Sequence, residues 1–340
     1  MNGIVGYREA TAQFRWPDGV ERIPAEEWAR GPLDTFGLQY DRVRTHSWYK
    51  NLEPTVAQVL GTLDENKLMV DYSSGTGILA AQLLAHISYP VGILNVDASP
   101  KFLRVAVENF KDDDRVAFRL IRYLKEAKRL QTLDEAIEPA LVDRGCDVLT
   151  STNAIHLYYD LASTVRSWHR VLRPGALAFM CSGNVLNPQS RPGDWIIDET
   201  VARVNEIAEE TVRTDPAFEQ YRPVLDDADR MRAYRQLRDK VFVPVRPLDY
   251  YLDTLEDEGF TVLHSYEATI HARVDEWHQL LTAYNEGVLG WFGGTEKIAG
   301  TPPAPEAVRT RVFLIRYCLE RIFPGQATFP CSWTYITCRR

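Results

Sequence analysis

The sequence lacks the marks of a metalloprotein, a disulfide scaffold or a nucleic-acid binder. Its five cysteines, Cys146, Cys181, Cys318, Cys331 and Cys338, are odd in number and scattered, with no CxxC pair and no histidine at metal-ligand spacing. That usage reads as reduced, buried thiols in a cytosolic protein with no metal site. Basic residues do not dominate. The 39 Lys and Arg face 47 Asp and Glu, a net charge of −8 with a pI near 5.5, which argues against general DNA or RNA binding. No apolar run reaches membrane-spanning length and no charged-then-apolar leader opens the chain, so a cytoplasmic protein without a membrane partner is expected. There is no internal repeat and no low-complexity tract.

What is present suffices for a full core: 45% hydrophobic and 11% aromatic residues in 340, the size of one large domain or two modest ones. The chain is organised around Leu68-Met69-Val70-Asp71-Tyr72-Ser73-Ser74-Gly75-Thr76-Gly77. An apolar run ends in an acid and a small-residue turn, and a helical pattern begins at Ile78. This is a buried strand feeding a helix through a turn that needs backbone freedom. Gly75 and Gly77 let the main chain approach a ligand, beside the unpaired N–H groups of a helix start. Twenty residues after Gly77 (97 − 77), a second strand ends in Asp97, placed to accept hydrogen bonds from ribose hydroxyls. Gly75-x-Gly77-x-x-Ala80 also satisfies the permissive dinucleotide fingerprint, so NAD must be weighed.

From residue 67 onward strands and helices alternate. Strands are expected over 67–72, 91–96, 116–121, 146–151 and 176–182, and helices over 77–88, 100–110, 127–140 and 161–172. Ser99 followed by Pro100 is an N-cap and first-turn proline. This alternation argues a doubly wound, mostly parallel α/β sheet. Later come polar helices within 196–239, a helix over 247–258, a sixth strand over 260–271, a helix over Pro305–Ile322 with Val308, Val312, Ile315 and Leu319 on one stripe, and a last strand over 333–339.

The glycine turn resembles the first motif of class I S-adenosylmethionine (SAM)-dependent methyltransferases. Asp71 sits where that family places its first acid, Gly75 and Gly77 match its second and third glycines, and Ser73 stands in place of the first. Leu172-Arg173-Pro174-Gly175-Ala176 resembles the helix stop that precedes the family's fifth strand, and it favours SAM over NAD. The resemblance implies a Rossmann-like sheet of seven strands, mostly parallel with an antiparallel last strand between the fifth and sixth, helices on both faces and helical cap insertions. It divides the chain into an N-terminal lid segment (1–66), a SAM-binding core (67–183), a helical cap (184–246), a core return (247–273), a second cap (274–332) and a last strand (333–340).

The resemblance also assigns roles. Asp71, Ser73, Gly75, Gly77, Asp97 and Ala98 would hold the cofactor, Tyr123 would stack on its adenine, Asn153 would face its methionine part, and Tyr40 would close over it. His156 follows where the transferred methyl group should lie and is the first candidate for a general base or an acceptor-orienting group, with His46 behind it. Trp48, Tyr49, Tyr158 and Trp291 are candidate acceptor walls, although aromatics of the 36–60 segment could equally pack the core. The implied activity is methyl transfer to a small organic acceptor, of the kind met in specialised metabolism. A nicotinamide-dependent oxidoreductase and a SAM-binding protein that does not methylate remain alternatives. A homodimer is left open, and the acceptor atom is not fixed.

Overall fold

The computed structural model describes residues 13–340; residues 1–12, the start of the expected lid segment, lie outside the described residues. Seven strands form one sheet: β1 (Leu68–Tyr72), β2 (Gly92–Asp97), β3 (Val116–Leu120), β4 (Cys146–Thr152), β5 (Leu172–Ser182), β6 (Thr261–Arg273) and β7 (Thr328–Arg339). Their order is β6-β7-β5-β4-β1-β2-β3. The pairs from β3 across to β5 are parallel, and β7 runs antiparallel to both β5 and β6. The seven-stranded Rossmann-like architecture expected from the sequence is therefore the observed one.

The central strands are apolar end to end because both sheet faces are covered. In β1 all five residues are buried. Leu68, Val70 and Tyr72 join the core on one face, against Trp168 and Tyr251, whereas Met69 joins the core on the other, with Ile78, Leu83 and Phe110. Helices cover both faces: α1 (Thr35–Asp41), α2 (Glu53–Leu60), α3 (Ile78–Leu84), α4 (Pro100–Phe110), α5 (Leu161–Val171) and α8 (Leu248–Asp257). Helix α4 starts where Ser99 accepts from the Phe102 N–H and Pro100 takes the first turn, as expected of such a cap. Between β5 and α8 the first cap contributes α6 (Ile197–Thr214) and α7 (Ala228–Val241); after β6 the second contributes α9 (Val274–Ala283) and α10 (Pro305–Ile322).

Two expectations fail. Residues 127–140 are not one helix. Tyr123–Leu124 pairs with Arg129–Leu130 in a short hairpin, followed by Leu133–Ala136 and Pro139–Arg144. Lys128 takes a φ of +52° at the hairpin turn, Thr132 and Glu135 form a capping box, and Pro139 begins a new helix; each is a local start or stop that breaks a continuous helix. The last strand is also longer than expected. It pairs with β6 from Arg273↔Thr328 to Thr261↔Arg339, but with β5 only from Thr334 onward. Residues 328–333 therefore project past the carboxyl end of β5 and carry Trp333 with them.

Candidate active site

Parallel strand ends at this edge form the ligand crevice of doubly wound sheets. The turn after β1 is built as its sequence suggested. Gly75 has φ +57° and Gly77 has φ +80°, the left-handed region that favours glycine. Ser73, in the place of a glycine, also adopts φ +62°. Its hydroxyl lies 2.8 Å from the Tyr158 hydroxyl, which is 2.8 Å from the Ser151 hydroxyl, so side-chain bonds hold the serine where its backbone alone would not favour it.

Asp97 braces the turn. One carboxylate oxygen accepts from the Gly75 N–H at 2.8 Å and the other from the Ser99 N–H at 2.7 Å. Burial pushes its pKa up, and those backbone bonds pull it back. Each oxygen keeps a lone pair for a further donor. Ala98, next in line, is exposed. Beneath the turn, register sets Asn95, Asp71 and Thr150 side by side. Asp71 Oδ1 accepts from the Thr150 hydroxyl at 2.9 Å. Asp71 Oδ2, both amide atoms of Asn95 and the hydroxyls of Ser74 and Thr76 have no partner. Burial raises the Asp71 pKa to about 7. Buried polar atoms left this way mark a place built for a bound group or an ordered water.

Beyond β4 lies a cavity of about 810 Å³ lined by residues of the lid segment, the strand ends and both caps. Asn153, at φ +57°, accepts through Oδ1 from Asn51 Nδ2 and Trp333 Nε1, each at 2.9 Å. Its amide oxygen is thus occupied, and its NH₂ is left to donate into the cavity. His156 sits in the 3-10 turn Ile155–Leu157 with Nδ1 2.8 Å from Ser182 Oγ. Burial lowers its pKa to about 4, so the ring is neutral at pH 7. Trp48 stacks on Trp333 at 5.9 Å, and Tyr40 stacks on Phe102 at 4.6 Å. A Cβ added to Gly75 would lie 3.4 Å from the Tyr40 ring, so Tyr40 covers the turn.

Other expected site residues lie elsewhere. His46 does not face the cavity: Trp48 Nε1 donates to its Nδ1 and Gln279 Oε1 faces its Nε2, both at 3.2 Å. With Nδ1 accepting, Nε2 must carry the proton and donate, so both nitrogens are occupied, one by Trp48 and one by Gln279. Tyr49 stands behind the wall, its hydroxyl 3.2 Å from that of Tyr40. Tyr158 supports the glycine turn and packs edge-on to Tyr72 and Trp168. Trp291 is buried, donates to Asn205 Oδ1 at 3.1 Å and packs against Phe292. Tyr123 is 59% exposed in its hairpin, away from the cavity. Among the described residues no group of acids, cysteines and histidines could hold a metal ion, and no helix is long and apolar enough to cross a membrane.

Residues 70–180, which span the glycine turn, Asp97 and His156, match the family model described as a methyltransferase domain. The matched segment is the core of the sheet and makes up about a third of the chain. A curated relative, clavatol synthase from Penicillium crustosum, is 27% identical over 176 residues, which is 49% of this chain and 6% of that protein. The chain therefore spans a small part of the curated relative it matches. Among solved structures, phosphoethanolamine N-methyltransferase 2 of Haemonchus contortus with SAM is similar at 15% identity, covering 96% of this chain and 61% of that one, with a TM-score of 0.47. The YcgJ protein of Bacillus subtilis is similar at 14% identity, 86% of this chain and 98% of that one, with a TM-score of 0.45.

The matched segment supplies only Asn153, His156 and Leu157, with Lys101, to the cavity; the other walls come from outside it. Sequence reasoning missed most of them. Phe36 and Phe242 pack edge-on against Tyr284 at 5.5 and 6.1 Å, and Lys240, Lys297 and Glu286 line the mouth. Nothing in their local spacing marks them.

Proposed function

We propose that this chain binds SAM at the Gly75–Gly77 turn and methylates a small organic acceptor held in the adjoining cavity, in a biosynthetic setting inside the cytoplasm. The observation that carries the reading is the junction of the two parts. Tyr40 covers the braced turn at Gly75 and also lines the 810 Å³ cavity, and both caps wall that cavity. The residues fit the cofactor's chemistry. Asp97 offers lone pairs to a ribose, Asp71 Oδ2 offers a buried carboxylate oxygen to a cationic amino group, and the Asn153 NH₂ offers donors to a carboxylate.

When bound, SAM supplies a methyl group on a sulfonium, which becomes bonded to the acceptor's electron pair while sulfur keeps the bonding pair. The chain's share is positioning and dehydration. Tyr40 and Trp48 exclude water, and their faces favour positive charge nearby. A cavity with largely apolar walls holds the acceptor in line, the main source of rate in such a displacement. A relative named as a synthase of clavatol supports a small-molecule role. Calorimetry tests the reading: SAM and S-adenosylhomocysteine should titrate the purified chain, and NADH should not. Clean binding of NADH with no heat from either sulfur nucleoside would turn the reading to an oxidoreductase.

A further inference from the structure

We propose that the acceptor is a hydrophobic organic acid that arrives as an oxyanion, which accepts the Nε2–H of His156, so that the chain supplies no general base. The proposal rests on the methyl-transfer reading and deepens it. It starts from the hydrogen bonds of one serine. Ser182 is 1% exposed, and its Oγ accepts from the Asn184 N–H at 3.0 Å. Its only other partner among the described residues is His156 Nδ1, at 2.8 Å. A buried hydroxyl proton must be given to an acceptor, and Nδ1 is the acceptor within reach. Nδ1 therefore carries no proton, and Nε2 does.

His156 is 8% exposed, and its Nε2 has no protein partner among the described residues. It is not among the fully buried orphan atoms and lies across the ring from Ser182, so it faces the cavity that His156 lines. A neutral imidazole with its free nitrogen protonated cannot take a proton there; it donates. The Asn153 NH₂, fixed by Asn51 and Trp333 and assigned above to the cofactor's carboxylate, is likewise a donor. Asn285, another lining residue, accepts from Arg311 through Oδ1 at 2.9 Å and donates one Nδ2 proton to the Thr282 carbonyl at 2.8 Å, which leaves one N–H. The inner polar surface thus asks for acceptor atoms on the ligand.

The mouth agrees. Lys101 is held by Asp34 at 3.1 Å, whereas Lys240 and Lys297 make no ion pair among the described residues and face one carboxylate, Glu286. This cationic bias stands out in a chain of net charge −8. Phe36, Phe242, Leu280 and Trp333 make the rest of the wall apolar, which sets the ligand's body.

The test uses 4-nitro-1-naphthol, a chromophoric naphthol whose absorption separates anion from neutral form, titrated against pH with the folded chain, with and without S-adenosylhomocysteine. Bound probe should ionise at least about one pH unit lower than free probe, a tenfold preference for the anion. His156→Phe should remove most of that shift, His156→Gln, which keeps an N–H donor, should retain part of it, and the Lys240→Met/Lys297→Met pair should reduce it. Glu286→Gln should leave it unchanged or enlarge it. An unchanged or raised ionisation, or a lowering that survives both His156→Phe and the lysine pair, overturns the proposal. Failure of S-adenosylhomocysteine to bind would refute the cofactor reading alone, because the shift in the unloaded chain still decides the acceptor.

Discussion

Gly77→Ala separates a steric cost from a conformational one at the turn the site depends on. Gly77 and Gly175 share a left-handed backbone, φ +80° and +82°, but not their surroundings. A Cβ on Gly77 would stand 2.6 Å from Phe110 Cε2 and 3.3 Å from Asn95 Nδ2, whereas one on Gly175 would meet nothing within 4 Å. Phe110 is buried at 2% exposure, so its ring cannot swing clear without opening the core. At both positions alanine pays about 1–2 kcal/mol for the left-handed conformation, offset by about 0.4–1 kcal/mol from a stiffer unfolded chain. Only at Gly77 is overpacking added, about 1–3 kcal/mol. Gly175→Ala should therefore cost about 0–1.6 kcal/mol and Gly77→Ala about 1–4.6 kcal/mol, the overpacking making the difference between them. Urea unfolding of both variants reads the difference. S-adenosylhomocysteine affinity should fall in Gly77→Ala and hold in Gly175→Ala. Equal midpoints would mean that Phe110 does not press on the turn.

Three further perturbations probe neighbouring parts. Asp97→Ala removes the acceptor of both the Gly75 and Ser99 N–H groups, and should weaken SAM binding by about 1–3 kcal/mol in calorimetry; unchanged affinity would refute the assignment. Burial raises the Asp71 pKa to about 7, above its ordinary 3.8. The folded chain therefore binds a proton that the unfolded chain has lost between those values, and stability should decline as pH rises from about 4 to about 7, then level off. Asp71→Asn should flatten that decline in denaturant melts across the window, and a slope unchanged by the substitution would count against it. Tyr158→Phe deletes two hydroxyl contacts, to Ser73 and Ser151, and should cost about 1 kcal/mol of stability while lowering cofactor affinity; a loss of acceptor binding alone would instead return Tyr158 to the cavity wall.

The sheet was legible because its signals are local. Continuous apolar runs name buried parallel strands, and Ser99-Pro100 fixes the start of α4, whose bounds, Pro100–Phe110, match the expectation. The helix expected over 127–140 failed because Lys128 takes a positive φ that no lysine advertises. Aromatic candidates divided by the face each ring presents, not by burial: Trp48 lines the cavity and Trp291, equally buried, packs behind Asn205. Both are tryptophans in a turn-rich stretch, and residue type does not say which face a ring presents.

The two halves of the site differ in legibility because they differ in construction. The cofactor turn and its bracing acid lie within 71–97, where one β-turn-α-β unit fixes every atom that matters, so spacing along the chain translates into position in space. The acceptor cavity draws on Phe36, Trp48, His156, Phe242, Tyr284 and Trp333, which meet only after the caps and the β6/β7 arm have packed. Its chemistry is set one step further out still. Whether His156 takes a proton or gives one depends on Ser182, and what Ser182 can give depends on the Asn184 N–H. A histidine after the fourth strand therefore suggests a base when read as a residue and a donor when read with its partners. The second reading follows from the rule that a buried hydroxyl proton is not left without an acceptor.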